Sequence, residues 1–179
     1  MSLRLSRRLF VVGFAVVLIQ VGILEQVNVA GAHPDLLLLL AIAAGLAGGA
    51  QQGAVVAFLA GLVADLFVVT PYGLTALCYV LVAFSVGVVA SLPAGRAPRL
   101  FRVLVGFAGS VAGTLLYAGL CILVGQPHLS GPALLDVVLV VSVANAVLAI
   151  PTVAAVQWAF AGSLVTAREY APASGSAVR

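Results

Sequence analysis

Residues 36–50 and 54–69 are two apolar runs, and only Gln51-Gln52-Gly53 lies between them. Runs this long and this continuously apolar suit helices, which satisfy every backbone group internally, and do not suit the alternating strands of a barrel. A connection this short forces two helices to lie side by side and antiparallel, so the stretch predicts a hairpin embedded in a membrane, with its turn over residues 48–53 on the cytoplasmic side. Asp35 opens the first run and Asp65 stands near the end of the second, which brings both acids toward one membrane face. Small residues recur every fourth position, as Ala41, Gly45 and Gly49 on the first helix and Gly53, Ala57 and Gly61 on the second, and Asp65 extends the second row by one step. In lipid, helices associate through close packing, and such ridges are contact lines. Asp65 is therefore expected at a packed seam, bonded to the start of a neighbouring helix or to the turn 70–73; the alternative is a place close enough to the surface to reach water.

The rest of the chain follows the same pattern. Of its 179 residues 64% are hydrophobic and 7% charged, whereas a soluble domain has about a quarter charged. This composition makes the chain an integral membrane protein of one domain. Six spans are predicted at about 9–24, 34–50, 53–69, 74–92, 103–124 and 133–162, each near the length that crosses a bilayer or longer. The domain is expected to cover residues 1–165, with a mobile cytoplasmic tail over 166–179. The last span exceeds the bilayer thickness, so it must tilt, protrude or bend, and Pro151 offers the bend.

All eight basic residues are arginines, at positions 4, 7, 8, 96, 99, 102, 168 and 179. They mark the ends of apolar runs, which reads as topology and not as a nucleic-acid surface. Six spans with the amino end inside place every arginine on the cytoplasmic side. Glu25, Asp35, Asp65 and Asp136 then fall near the outer side, and Glu169 is the one inner acid. The basic start followed by an apolar run and Ala30-Gly31-Ala32 also has the outline of a secretory signal. The five runs that follow favour a retained first span.

Little in the sequence points to catalysis. The glycine-rich phosphate loop, the dinucleotide fingerprint, HExxH and nucleophile motifs are all missing. The outer-side group of Glu25, His33, Asp35, Asp65, His128 and Asp136 has no ligand spacing, so neither a metal nor a cofactor is expected. Cys78 and Cys121 lie inside apolar runs and read as small buried residues, with a disulfide left open. Pro34 suits the first turn of a helix, and Asp35 beside it suits the positive end of the helix dipole. Asn145, in the middle of the last span, is expected to bond another helix; lining a cavity for lipid or a small molecule is the alternative.

Three words in order carry a resemblance: Pro34-Asp35-Leu36-Leu37-Leu38, then Gly61-Leu62-Val63-Ala64-Asp65-Leu66, then Pro71-Tyr72-Gly73-Leu74 with Ala76-Leu77. Together they resemble the signature of the rod shape-determining protein MreD family. The resemblance implies an all-α, six-helix bundle like the substrate-binding subunits of energy-coupling-factor transporters, in the inner membrane of a bacterium with both ends cytoplasmic. It implies a non-enzymatic scaffold that docks a single-span MreC-like protein. Beyond that partner it implies the MreB filament, RodA and its transpeptidase. The structural or partner-binding candidates are Pro34, Asp35, Gly45, Gly49, Gly53, Ala57, Gly61, Asp65, Pro71, Gly73 and Asn145, with Arg96, Arg99 and Arg102 facing MreB or membrane lipids. The rival is a small-molecule-binding transporter subunit. Its members often carry an Ala-xxx-Ala pair on the first helix, and the first span here, with Gly13 and Ala15, lacks one.

Overall fold

The computed structural model describes residues 3–22, 33–67, 71–91, 99–125 and 132–169. Side chains are described for 7–22, 33–67, 71–91, 100–125 and 134–161. Five helices follow one another: α1 (Leu3–Gly22), α2 (Leu36–Ala64), α3 (Leu74–Ser91), α4 (Arg99–Leu123) and α5 (Pro132–Glu169). Four of them are long and apolar enough to cross a membrane, over Leu36–Ala64, Leu74–Ser91, Leu100–Leu123 and Leu134–Ala161. The chain is thus a polytopic, all-helical membrane protein. Among the described residues five helices stand where six were expected, because α2 takes up the two runs that were read as separate spans.

The break inside α2 is not at Gln51-Gln52-Gly53. It is at Gly49, whose φ of 76° lies in the left-handed region where a Cβ is strained. Gln51 and Gln52 are helical and exposed. Past Gly49 the chain turns back on itself, because a Cβ at Gly53 would lie 2.6 Å from the Gly45 Cα. Eight residues along a straight helix would separate these positions by about 12 Å. α2 is therefore a tight hairpin with arms 36–48 and 50–64. Replacing Gly49 by alanine, where nothing lies within 4 Å of the new Cβ, is expected to cost about 1–3 kcal/mol through backbone strain alone, because φ 76° with ψ −179° is a conformation open essentially to glycine. Thermal unfolding in detergent measures this, and an unchanged midpoint would remove the strain argument.

Other boundaries also move. The second arm ends at Ala64 and not at 69, because the Asp65 N–H closes the last turn on the Gly61 carbonyl at 2.9 Å. α4 starts at Arg99, so Arg99 and Arg102 belong to its first turn and not to a loop. α5 runs to Glu169, which makes the start of the expected tail, 166–169, helical; residues 170–179 lie outside the described residues. α5 also continues through Pro151. Its 38 residues reach about 57 Å, well past a hydrocarbon core of about 30 Å.

The first arm of α2 is the central post. All ten residues from Leu36 to Gly45 are buried, as a helix that is apolar on every side requires. Leu38, Leu39 and Ile42 project into notches on α4 made by Gly113, Gly106 and Gly109. On the opposite flank α3 lies against both arms. Gly45 meets the Ala83 carbonyl, Gly61 meets the Ala76 backbone, and Gly87 meets Ala50 at the hairpin tip. The small residues thus bring backbones together inside the chain. Large apolar side chains such as Phe10, Phe14, Phe58, Leu81, Phe84 and Val147 face outward, as lipid contact demands.

Candidate functional site: a polar hub at the amino end of the central post

The central post begins at Pro34-Asp35-Leu36, and polar groups from the other helices converge there. Asp35 is the N-cap: its Oδ1 accepts from the Leu38 N–H at 2.9 Å. Its Oδ2 accepts from the Tyr79 hydroxyl of α3 at 2.6 Å. Its backbone carbonyl accepts from Asn145 Nδ2 of α5 at 3.0 Å, and the same Nδ2 donates to Ser110 Oγ of α4 at 3.0 Å. From α1, Gln20 grips the same turn with both ends of its amide. Its Nε2 donates to the Pro34 carbonyl at 3.1 Å and its Oε1 accepts from the Leu36 N–H at 2.9 Å. Every other helix thus reaches the first turn of the post, directly or through Asn145. A helix start offers unsatisfied N–H groups, and a polar side chain in an apolar interior needs a partner, so each need answers the other.

Asp65 forms a second node on the same side. It is 1% exposed. Its Oδ2 accepts from the Gly73 N–H at 2.8 Å and, more weakly, from the Ala76 N–H at 3.4 Å; its Oδ1 accepts from the Thr75 N–H at 3.1 Å. A carboxylate at the carboxyl end of its own helix faces the negative end of that dipole. Here the start of α3 supplies a positive end and N–H donors. Gly73 at φ 94° makes the turn that aims those donors, after exposed Pro71 and Tyr72.

The depth of the hub follows from helix rise. Leu9, Gln51, Gln52 and Phe160 share one level of the bundle because they line one cleft. Gln20 lies eleven residues above Leu9, and Asn145 fifteen residues from Phe160, which places the hub about 17–22 Å from that level. This places the hub toward the opposite end of the bundle.

The remaining sequence candidates fall elsewhere. Gly45, Gly53, Ala57 and Gly61 are buried between α2 and α3 or between the arms of α2. Arg102 is half-buried on α4, the Arg99 side chain and Arg96 lie outside the described residues, and so do Glu25 and His128. Asp136 is exposed on α5 and His33 is exposed ahead of Pro34. Both cysteines are buried free thiols, and the Cys78 thiol donates to the Gly113 carbonyl at 3.2 Å. Among the described residues no cluster of three potential metal ligands occurs.

Sequence reasoning missed Gln20, Tyr79 and Ser110. Gln20, the first uncharged polar residue of an otherwise apolar run, was the available signal. Ser110 and Tyr79 gave none beyond being polar within a span.

The model of the family described as rod shape-determining protein MreD matches residues 3–154. No curated protein and no solved structure matches significantly, so the likeness to energy-coupling-factor subunits rests on the sequence resemblance alone. The matched segment takes in α1 to α4, most of α5 and the whole hub. With over four-fifths of its length matched, this chain belongs to the MreD family of rod shape-determining proteins.

Proposed function

We propose that the chain is a non-enzymatic scaffold of the bacterial cell-shape machinery, which docks a single-span MreC-like protein and links cytoplasmic filaments to peptidoglycan synthesis. Family membership supplies the role in rod-shape determination. The observation that carries the scaffold reading is the hub. The Asp35 carboxylate, the Tyr79 hydroxyl, the Gln20 amide and the Asn145 Nδ2 are engaged with helix ends and with one another, which is what a rigid docking body needs; the buried Asn145 Oδ1 has no partner among the described residues.

In this reading α1, α3, α4 and α5 cross the inner membrane and both ends are cytoplasmic, while α2 enters and leaves from one side as a hairpin whose arms, about 20 and 22 Å long, fall short of a hydrocarbon core of about 30 Å. The hairpin starts and finishes on one side, so the sidedness of α3, α4 and α5 does not depend on how far its tip penetrates. The arginine-bearing ends of α1 and α4 then face MreB or the inner leaflet. Because the small-residue ridges of α2 are covered within the chain, the partner's span docks on the outward apolar faces.

Purification of the tagged chain from its own membranes in a mild detergent tests this. Recovery of an MreC-like protein in stoichiometric amount is the expected result. Its absence under conditions that keep the bundle folded would overturn the docking role.

A further inference from the structure

Two levels of exposed polar or irregular chain bracket the flank of the bundle made by the second arm of α2 and by α3. At one level the chain reverses at Gly49 and presents Gln51 and Gln52, both exposed. At the other it makes the turn into α3, where Pro71 and Tyr72 are exposed. Irregular backbone facing lipid does not occur at hydrocarbon depth, because its N–H and C=O groups find no partner there. The hydrocarbon against this flank therefore ends at both levels. Asp65 ties the second level to the hub end, since its carboxylate accepts from the Gly73 and Thr75 N–H groups. Thirteen residues separate Asp65 from Gln52, about 20 Å of helix. α3 gives the same height. Gly87 meets Ala50 at the hairpin tip, and Thr75 lies twelve residues away, about 18 Å.

The flank made by α4 and α5 is taller. Ser110 and Asn145 mark the hub on these helices. On α5 exposed Leu139 and Leu135 lie six and ten residues beyond Asn145, and on α4 exposed Leu123, at 82%, lies thirteen beyond Ser110. Apolar surface thus rises about 15–20 Å past the hub on this flank. From Leu100 to Leu123 and from Leu135 to Trp158 the exposed apolar side chains span about 35 Å, enough for a hydrocarbon core of about 30 Å with some tilt.

We propose that the bundle thins the bilayer on one side only. Along the second arm of α2 and α3 the leaflet at the hub end sinks by about 10 Å, the difference between a full core and the height of this flank. Along α4 and α5 the bilayer keeps its full thickness. The α2–α3 flank is then an interaction surface for phospholipids with short acyl chains, which fill a thin annulus without being compressed. The inference goes beyond the scaffold reading and depends neither on a protein partner nor on which leaflet faces the hub.

Trp158 is the only tryptophan of the chain, and Trp158→Phe removes it while keeping a ring beneath Arg8. In that background one tryptophan is placed on either flank, by Leu59→Trp on α2 or by Val147→Trp on α5, both at exposed positions. Each full-length variant is reconstituted in phosphatidylcholine bilayers doped with phosphatidylcholine brominated at mid-chain. The brominated chains are four carbons shorter than the host's or four carbons longer, at equal mole fraction. The headgroup is the same throughout, so charge does not enter. At the α2 site the shorter lipid is expected to quench more, by local enrichment on the order of threefold. At the α5 site the two should quench alike. Phe58→Trp and Leu139→Trp, also at exposed positions, serve where either variant does not fold. Equal quenching by the two lipids at the α2 site would overturn the proposal. So would the same preference for the shorter lipid at both sites, which would mean a belt of uniform height. Failure here leaves the docking role untouched, because the vesicles hold no partner protein.

Discussion

Replacing Asp65 by leucine is expected to destabilise the bundle by about 3–5 kcal/mol, because the substitution removes the acceptor of N–H groups in a buried seam. The Gly73, Thr75 and Ala76 N–H groups all point at this one carboxylate. They belong to the first turn of α3, where the helix itself provides no acceptor. In water those groups would find solvent; beside a residue that is 1% exposed they cannot. Asp65→Asn keeps one oxygen and should lose less, about 1–2 kcal/mol, since one acceptor survives without its charge. The measurement is thermal unfolding in detergent together with abundance in the membrane. An Asp65→Leu protein that melts with the parent chain would show that the start of α3 is held by something else.

Gly61→Leu should be comparably severe, by a different route. A Cβ at Gly61 runs into the Cα and N of Ala76. Backbone atoms cannot rotate away as a side chain can, so α2 and α3 must separate along their contact. The expected loss is about 3 kcal/mol or more, above the common range for overpacking because the obstacle is main chain. Gly119 on α4 is the matched control, since nothing lies within 4 Å of a Cβ built there. Gly119→Leu should leave stability unchanged or raise it by about 0.5 kcal/mol, as leucine is the better helix former. Equal melting points for the two variants would remove the close approach at Gly61 as a determinant of the fold.

Both predictions concern positions that stood out in the sequence for different reasons. Asp65 was visible because a charge in an apolar run is costly and therefore has a reason. Gly61 was visible because it belongs to a four-residue period of small side chains. The hairpin too was legible, since a connection of a few residues leaves two long helices no arrangement except antiparallel. The reversal falls within the expected turn, residues 48–53, but at Gly49 and not at the polar gap between the runs. Gln51-Gln52-Gly53 looked like the polar break, but polarity only marks what faces water. A reversal needs a residue at positive φ, and among Gly48, Gly49 and Gly53 it was Gly49 that adopted it.

The hub was the least legible part. Asp35 read as a helix start, and Asn145 as a polar group in search of a partner, but 110 residues separate them. Nothing in either neighbourhood says that the amide of one meets the carbonyl of the other. Tyr79 carried no mark beyond a hydroxyl within a span, and only the structure aims that hydroxyl at Asp35.

Composition, the placement of arginines and the apolar runs determined by themselves that this chain lives in a membrane as helices, and three short words between Pro34 and Leu77 carried the family resemblance. Those properties are local: each follows from the solvent a segment needs and from backbone groups that must bond within it. Only the tertiary structure decided that residues 36–45 form the central post and that the small-residue ridges are used up inside the chain. It also decided that Gln20, Tyr79, Ser110 and Asn145 close on a single helix end. These are properties of pairs distant in sequence, set by which surfaces fit closest once every segment is already a helix in lipid.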